Sequence, residues 1–133
     1  MGGPTAFFNR TYDETMALLL EARNYVAHHE AADQAKLPPH LRLQASYEAM
    51  RVTTRLTQVM AWLLAQKAVH AGEMTQEQAA SDEYALSGGH ICSEPSGPES
   101  ELLPGGLRSL LDRSHGLYVR VARLDEMVRR NVA

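Results

Sequence analysis

Six histidines and a single cysteine are the residues of this 133-residue chain that could do chemistry unaided, and metal binding is the chemistry their types suggest. His90-x-Cys92 is the closest pair and His28-His29 the next. A zinc site needs three or four convergent ligands, and neither pair has others at a fixed spacing to join it. Di-metal helix bundles carry Glu-x-x-His on two helices, which puts both ligands on one face. That pattern does not occur; Asp112-Arg113-Ser114-His115 comes nearest, and its residues are expected to form surface pairs. Cys92 as a nucleophile would need a nearby base and a lowered pKa, and its acidic surroundings oppose the second, so a free, unreactive thiol is expected. Gly88-Gly89 and Gly105-Gly106 lack the lysine and the strand-turn-helix setting of a phosphate cradle. Gly72 joins two helical segments as in a DNA reader, but the second, opening Gln76-Glu77-Gln78, has no base to meet phosphates. No catalytic, cofactor-binding or metal-binding residue is assigned, and no nucleic-acid partner is expected.

The elements that must carry any other function are helical. Residues 107 to 128 place Leu107, Leu110, Leu111, Ser114, Leu117, Val121, Leu124 and Val128 at three- and four-residue steps, a narrow seam suited to packing between helices. Gly116 interrupts it and suggests a close approach of a neighbouring backbone. A second helix should start at Pro38-Pro39 and end at Gly72. Its roughly 48 Å length exceeds what one small domain can wrap, which points to a partner chain. The first helix runs through Tyr12, Leu19 and Val26, with a start near Thr5 preferred over the capping pattern Thr11-x-x-Glu14. A short helix begins at the capping pattern Thr75-x-x-Gln78. The expected fold is all-α: an antiparallel bundle of long helices over 5–31, 39–71 and 105–131, a short one over 76–84, and a flexible acidic loop over 85–103, in one domain spanning 1–133 and paired as a dimer.

Composition agrees with a globular domain: 44% hydrophobic, 22% charged, net charge −3. The longest apolar run, Val59 to Ala65, is far below the ~20 residues of a membrane span. Met1-Gly2-Gly3-Pro4-Thr5-Ala6 shows neither an export signal nor a myristoylation pattern, and one cysteine suits a reducing compartment, so a cytoplasmic location is expected. Charge is uneven: residues 72–101 hold seven acidic residues and no basic one.

The most informative pattern lies on the second helix. At 100° per residue, Glu48, Arg51, Arg55, Gln58, Trp62 and Gln66 fall within an arc of roughly 80°, with Val52, Leu56, Val59, Met60 and Leu63 on the other side. Tryptophan and arginine are enriched at the energetic centres of interfaces, so the stripe is a candidate contact surface for a second copy or a partner. The other reading is an intrahelical Glu48–Arg51 pair on a solvated face, with Trp62 completing the core edge.

Glu48 to Val69 (EAMRVTTRLTQVMAWLLAQKAV) resembles the signature of the regulator of CtrA degradation (RcdA) family of alpha-proteobacteria, and Arg10-Thr11-Tyr12-Asp13-Glu14 fits that family's first helix. The resemblance implies a small, dimeric, non-enzymatic adaptor that helps deliver the cell-cycle regulator CtrA and other substrates to the ClpXP protease. Implied partners are a response-regulator primer of the protease and a cyclic-di-GMP-binding adaptor; implied localisation is the cell pole. The alternative is a small-molecule-binding or scaffolding helical regulator, its pocket lined by several of Phe8, Tyr12, Met50, Met60 and Tyr118.

Overall fold

Proline sets the start of the longest helix. Pro39 occupies the first turn, where its missing N–H has no intrahelical use, and Pro38 before it is extended. In the computed structural model, which describes residues 3–132 and the side chains of 8–131, this helix is continuous to His70. Met1 and Gly2, on which part of the targeting-signal reading falls, lie outside the described residues.

In chain order the helices are α1 (Gly3–His28), α2 (Glu30–Ala35), α3 (Pro39–His70), α4 (Gln76–Ala79), α5 (Gly89–Ser93) and α6 (Gly105–Val132). Among the described residues there is no strand. α1 starts early, as preferred, but the first helix is broken at His29 (φ −127°), so residues 30–35 form a separate turn and a half. α3 ends where Gly72 turns left-handed at φ 77°. The capping box at Thr75 is formed: its hydroxyl accepts from Gln78 N, and the Gln78 side chain accepts from Thr75 N.

α1, α3 and α6 pack on one another as the expected three-helix bundle. Their directions need one correction. α1 is antiparallel to α6, as the pairs Glu14–Arg120 and Glu21–Arg113 show, and to α3, where Phe8 meets His70, Tyr12 meets Lys67 and Leu19 and Ala22 lie beside Thr53. α3 and α6 run the same way, since Arg55 meets Leu111 and Ser114 while Trp62 meets Asp125. Two parallel helices cannot be joined by a short turn, so residues 71–104 must carry the chain back along the bundle. Periodicity, which fixes a helix's buried face, says nothing of its sense.

The core holds Leu56, Val59, Leu63, Leu111, Leu117 and Val121, all 0–1% exposed. Each such side chain contributes roughly 1.5–3 kcal/mol by leaving water. On α1 the buried line is Phe8, Thr11, Thr15, Leu18 and Tyr25, one step round from the expected one, and Val26 is 55% exposed. Thr15 joins the core because its hydroxyl donates to Thr11 O at 2.7 Å.

The Gly116 expectation is overturned: a Cβ there meets nothing within 4 Å. The glycine that does need its missing side chain is Gly88, at φ +112°, where a Cβ would fall 2.3 Å from Cys92 Sγ. Urea denaturation should therefore separate two alanine variants. Gly116→Ala is expected to stabilise the chain by about 0.5–1 kcal/mol, the helix-interior difference between the two residues. Gly88→Ala is expected to destabilise it; a Gly88→Ala chain as stable as the wild type would refute the clash.

Candidate functional site

The polar stripe of α3 is buried. Glu48, Arg51, Arg55, Trp62 and Gln66 are 2, 4, 0, 1 and 5% exposed, and Gln58 is half-buried. An open face toward a partner, expected from the sequence, is therefore corrected: within a single chain the stripe is covered by the returning segment 80–103 and by α6. The segment expected as a loop that buries no face holds α5 and a 3₁₀ turn at Pro98–Leu102, and it buries Cys92 and Leu103.

Two guanidinium groups tie that strap down. Arg51 donates through Nε to Ile91 O at 2.8 Å and through Nη2 to Glu94 O. Its Nη1 reaches both oxygens of Glu48, at 2.9 and 3.1 Å. The Glu48–Arg51 pair foreseen on a solvated face thus exists, but in the interior. Arg55 donates through Nε to Cys92 O at 2.9 Å and through Nη2 to Glu94 O at 2.8 Å; its Nη1 lies 3.2 Å from Leu111 O and 3.3 Å from Ser114 Oγ. Burial, helped by the neighbouring Arg51 charge and opposed by Glu48, lowers the Arg55 pKa to about 10, which leaves it charged at neutral pH. Three strap carbonyls and one from α6 stabilise charge that a single carboxylate only partly balances.

The rest of the stripe extends the same arrangement. Glu48 also accepts from Ser96 Oγ at 3.1 Å. Gln58 Oε1 accepts from Ser87 N and Oγ at 3.1 and 2.7 Å, and Tyr118 donates its hydroxyl to Ser87 O at 2.9 Å. Trp62 Nε1 donates to Asp125 Oδ1 at 2.8 Å, and Arg129, bonded to the same carboxylate, donates to Ala80 O at 2.7 Å. The strap thus runs from the carboxyl end of α6 toward its amino end, along the groove between α3 and α6. Cys92, part of the strap, turns its side chain inward and is 0% exposed, its thiol pKa raised by burial against the opposing pull of Arg55 and Arg51. The acidic surroundings invoked from the sequence are not the cause.

Turning its charges inward leaves α3 with an unusual outer face. Leu43, Tyr47, Met50, Thr54, Thr57, Ala61, Leu64 and Ala68 follow one another at alternating steps of four and three, and none of them is charged. Leu43 is 75% exposed, and Leu64, Met50 and Tyr47 about half as open as they could be, at 52, 51 and 45%. Between Leu43 and Leu64 the helix has three charged residues, Glu48, Arg51 and Arg55, and all are inside. A groove between α1 and α3, lined by Leu19, Ala22, Arg23, Val26, Ala27 and Thr53, adjoins this surface and brings one charged residue to its edge. Sequence reasoning missed the face, although its 3.5-residue repeat was there to find.

Of the five residues named for an internal ligand pocket, the structure does not bring several together: Phe8 lines a cavity, Tyr118 is bonded to the strap, and Met50 is on the outside. The Asp112–His115 stretch does form surface pairs, Arg113 with Glu21 at 2.6 Å and His115 Nε2 with Ser93 O at 2.8 Å. Among the described residues, no three His, Cys, Asp or Glu side chains converge as ligands, and no helix is long and apolar enough to cross a membrane.

Fold and site together define a strapped three-helix bundle with an interior arginine clamp and an uncharged outer helix face. A family model described as "Protein of unknown function (DUF1465)" matches residues 4–133. The chain is similar to the protein in the crystal structure of RcdA from Caulobacter crescentus CB15, with 39% identity over 91% of this chain and 89% of that one and a TM-score of 0.72. It belongs to the RcdA family, as the Glu48–Val69 signature implied. Comparison with curated proteins finds no match.

The clamp is testable through the cysteine it covers. Arg55→Ala strands strap carbonyls and is expected to cost about 3–5 kcal/mol, the usual loss when half of a buried charged network is removed. Cys92 should then react with a thiol reagent at least ~10-fold faster than in the wild type, at a urea concentration where both remain helical. Arg55→Lys should not restore protection, because one ammonium cannot reach carbonyls on two elements. Equal labelling rates in wild type and Arg55→Ala would contradict the clamp.

Proposed function

We propose that this chain is a non-enzymatic adaptor that binds substrate proteins, the cell-cycle regulator CtrA among them, and promotes their degradation by the ClpXP protease. It does so in the cytoplasm at the cell pole, with the protease's response-regulator primer and a cyclic-di-GMP-binding partner adaptor. Family membership supports the reading, and the outer face of α3 is the observation that carries it. An exposed, uncharged helix face of this length favours protein contact over solvation. No chemical step is asked of the molecule; tethering a substrate beside the protease raises its local concentration.

A second copy of the chain is one occupant of that face. Turned antiparallel about a two-fold axis midway between Thr54 and Thr57, the repeat sets Leu43 against Ala68, Tyr47 against Leu64, Met50 against Ala61 and Thr54 against Thr57. Leu43 and Met50 then meet alanines, Tyr47 meets Leu64, and the knobs of one helix enter the holes of the other. Glu48, Arg51, Arg55, Gln58 and Trp62 serve the interaction from behind, with Gln66 at the end of the same buried row: by holding the strap they present the exposed acids Glu94, Glu99 and Glu101 as a docking segment for partners.

Reconstituted degradation of CtrA by ClpXP, with the primer and the cyclic-di-GMP-binding adaptor present, should speed up when this chain is added. An unchanged substrate half-life would refute the adaptor reading. Light scattering tests the pairing separately: the wild type should run at twice the 14.7 kDa chain mass and Leu64→Glu at the chain mass itself. A Leu64→Glu chain that stays paired would move the dimer to another face.

A further inference from the structure

The middle of the strap is held in place mainly by polar contacts. Among residues 88–97 only Cys92 is buried, and Ile91, the largest apolar side chain of this stretch, is 42% exposed. The remaining ties are the carbonyls of Ile91, Cys92 and Glu94 on Arg51 and Arg55, the Ser96 hydroxyl on Glu48, and Ser93 O on His115 Nε2. On either side the chain is pinned more firmly. Upstream, Ala79 is buried, Ala80 O accepts from Arg129, and Ser87 is bonded to Gln58 and Tyr118. Downstream, Leu103 is in the core. Between these anchors the stretch begins at Gly88 and Gly89, both left-handed at φ +112° and +49°, and ends in Pro95-Ser96-Gly97-Pro98.

We infer that residues 88–97 form a latch, which opens as a unit while the three-helix bundle stays folded and so uncovers Arg51, Arg55 and Cys92. Opening gives up little hydrophobic burial, because one thiol-sized side chain is all that the stretch places in the core. Its polar ties are exchanged rather than lost: entering water hydrates the guanidinium groups and the carbonyls alike, whereas in the closed form each must satisfy the other. Hydration also relieves the closed form's imbalance of two interior arginines against one carboxylate. The bundle has no such exit, since Leu56, Leu63, Leu117 and Val121 stay out of water only while α3 and α6 remain packed. A segment with few buried apolar contacts, and with bonds that water can replace, opens at lower free energy than the core around it. Glu94 O makes the opening cooperative: this single carbonyl accepts from Nη2 of both arginines, so the two guanidinium groups are released together. The latch is a property of the strap alone and stands whether or not the chain is an adaptor.

The test labels Cys92 of the full chain with a thiol reagent at several urea concentrations below the unfolding transition, and follows hydrogen exchange of the Leu63 and Val121 amides alongside. Each rate is divided by that of the same group in the unfolded chain. Cys92 should be reached at least ~10-fold more often than those amides, at a rate that hardly changes with urea, because opening exposes little surface. His115→Ala removes one tie from the partly exposed side of α6. It should speed labelling about three-fold, the effect of one hydrogen bond, and leave the Leu63 and Val121 amides as they were. Gly97→Ala should slow labelling about two-fold, since alanine fits the closed φ of −73° in open space and has fewer open conformations to gain. Cys92 labelled with the frequency and urea slope of the bundle amides would mean that the strap leaves only when the whole chain unfolds, and would overturn the inference. So would a labelling rate that His115→Ala leaves unchanged.

Discussion

Two buried guanidinium groups constrain everything else in this molecule. Arg51 and Arg55 are 4 and 0% exposed, and one carboxylate, Glu48, is bonded to Arg51. Charge placed in an interior is strongly unfavourable unless hydrogen-bonded on all sides, and bonds to a charged donor are worth about 1.5–3 kcal/mol each. Here the compensation comes from the main chain: carbonyls of Ile91, Cys92, Glu94 and Leu111 converge on the pair. Those carbonyls are available only if residues 80–103 lie in the groove between α3 and α6. The strap, the parallel sense of α3 and α6 and the burial of Cys92 therefore stand or fall together.

The same constraint shapes the surface. A long helix in a small bundle normally turns apolar residues in and charges out. α3 keeps its apolar residues in the core as well, but it takes three charges inside with them and leaves an uncharged stripe in solvent. Loss of charge is what distinguishes the centre of a contact surface from the rest of a protein's exterior. A face of this kind can be covered by another protein without the desolvation of ion pairs. The interior clamp and the uncharged outer face are thus two results of one inversion, and the second is possible because the first holds the charges elsewhere.

Much of the architecture could be read from the sequence because the signals are local. Pro39, Gly72 and the Thr75–Gln78 box mark helix ends by backbone chemistry, and the leucine steps of α6 mark its buried face. The RcdA-like stretch gave the family. What failed was non-local. Residues 85–103, rich in glycine, proline and acid, read as an open loop because their ligating groups are carbonyl oxygens, which every residue has and no sequence pattern displays. The arginines that bind them look like surface residues for the same reason. Thr11 and Thr15, both buried, shifted the α1 register; Thr15, which bonds back to its own helix, behaves as a core residue while appearing polar. Gln66 was assigned to the stripe by its angle; only the lack of a partner for its Nε2 among the described residues sets it apart.

Hydroxyl-radical footprinting of the intact chain at two concentrations probes both sides of α3 in one measurement. Trp62, the sole tryptophan, should resist oxidation in dilute and concentrated samples alike, while Tyr47 and Met50 oxidise readily when dilute and become protected when concentrated. A Trp62 as reactive as Met50 would mean that the strap does not cover the stripe. Tyr47 and Met50 oxidised equally at both concentrations would mean that the outer face is not where two chains meet.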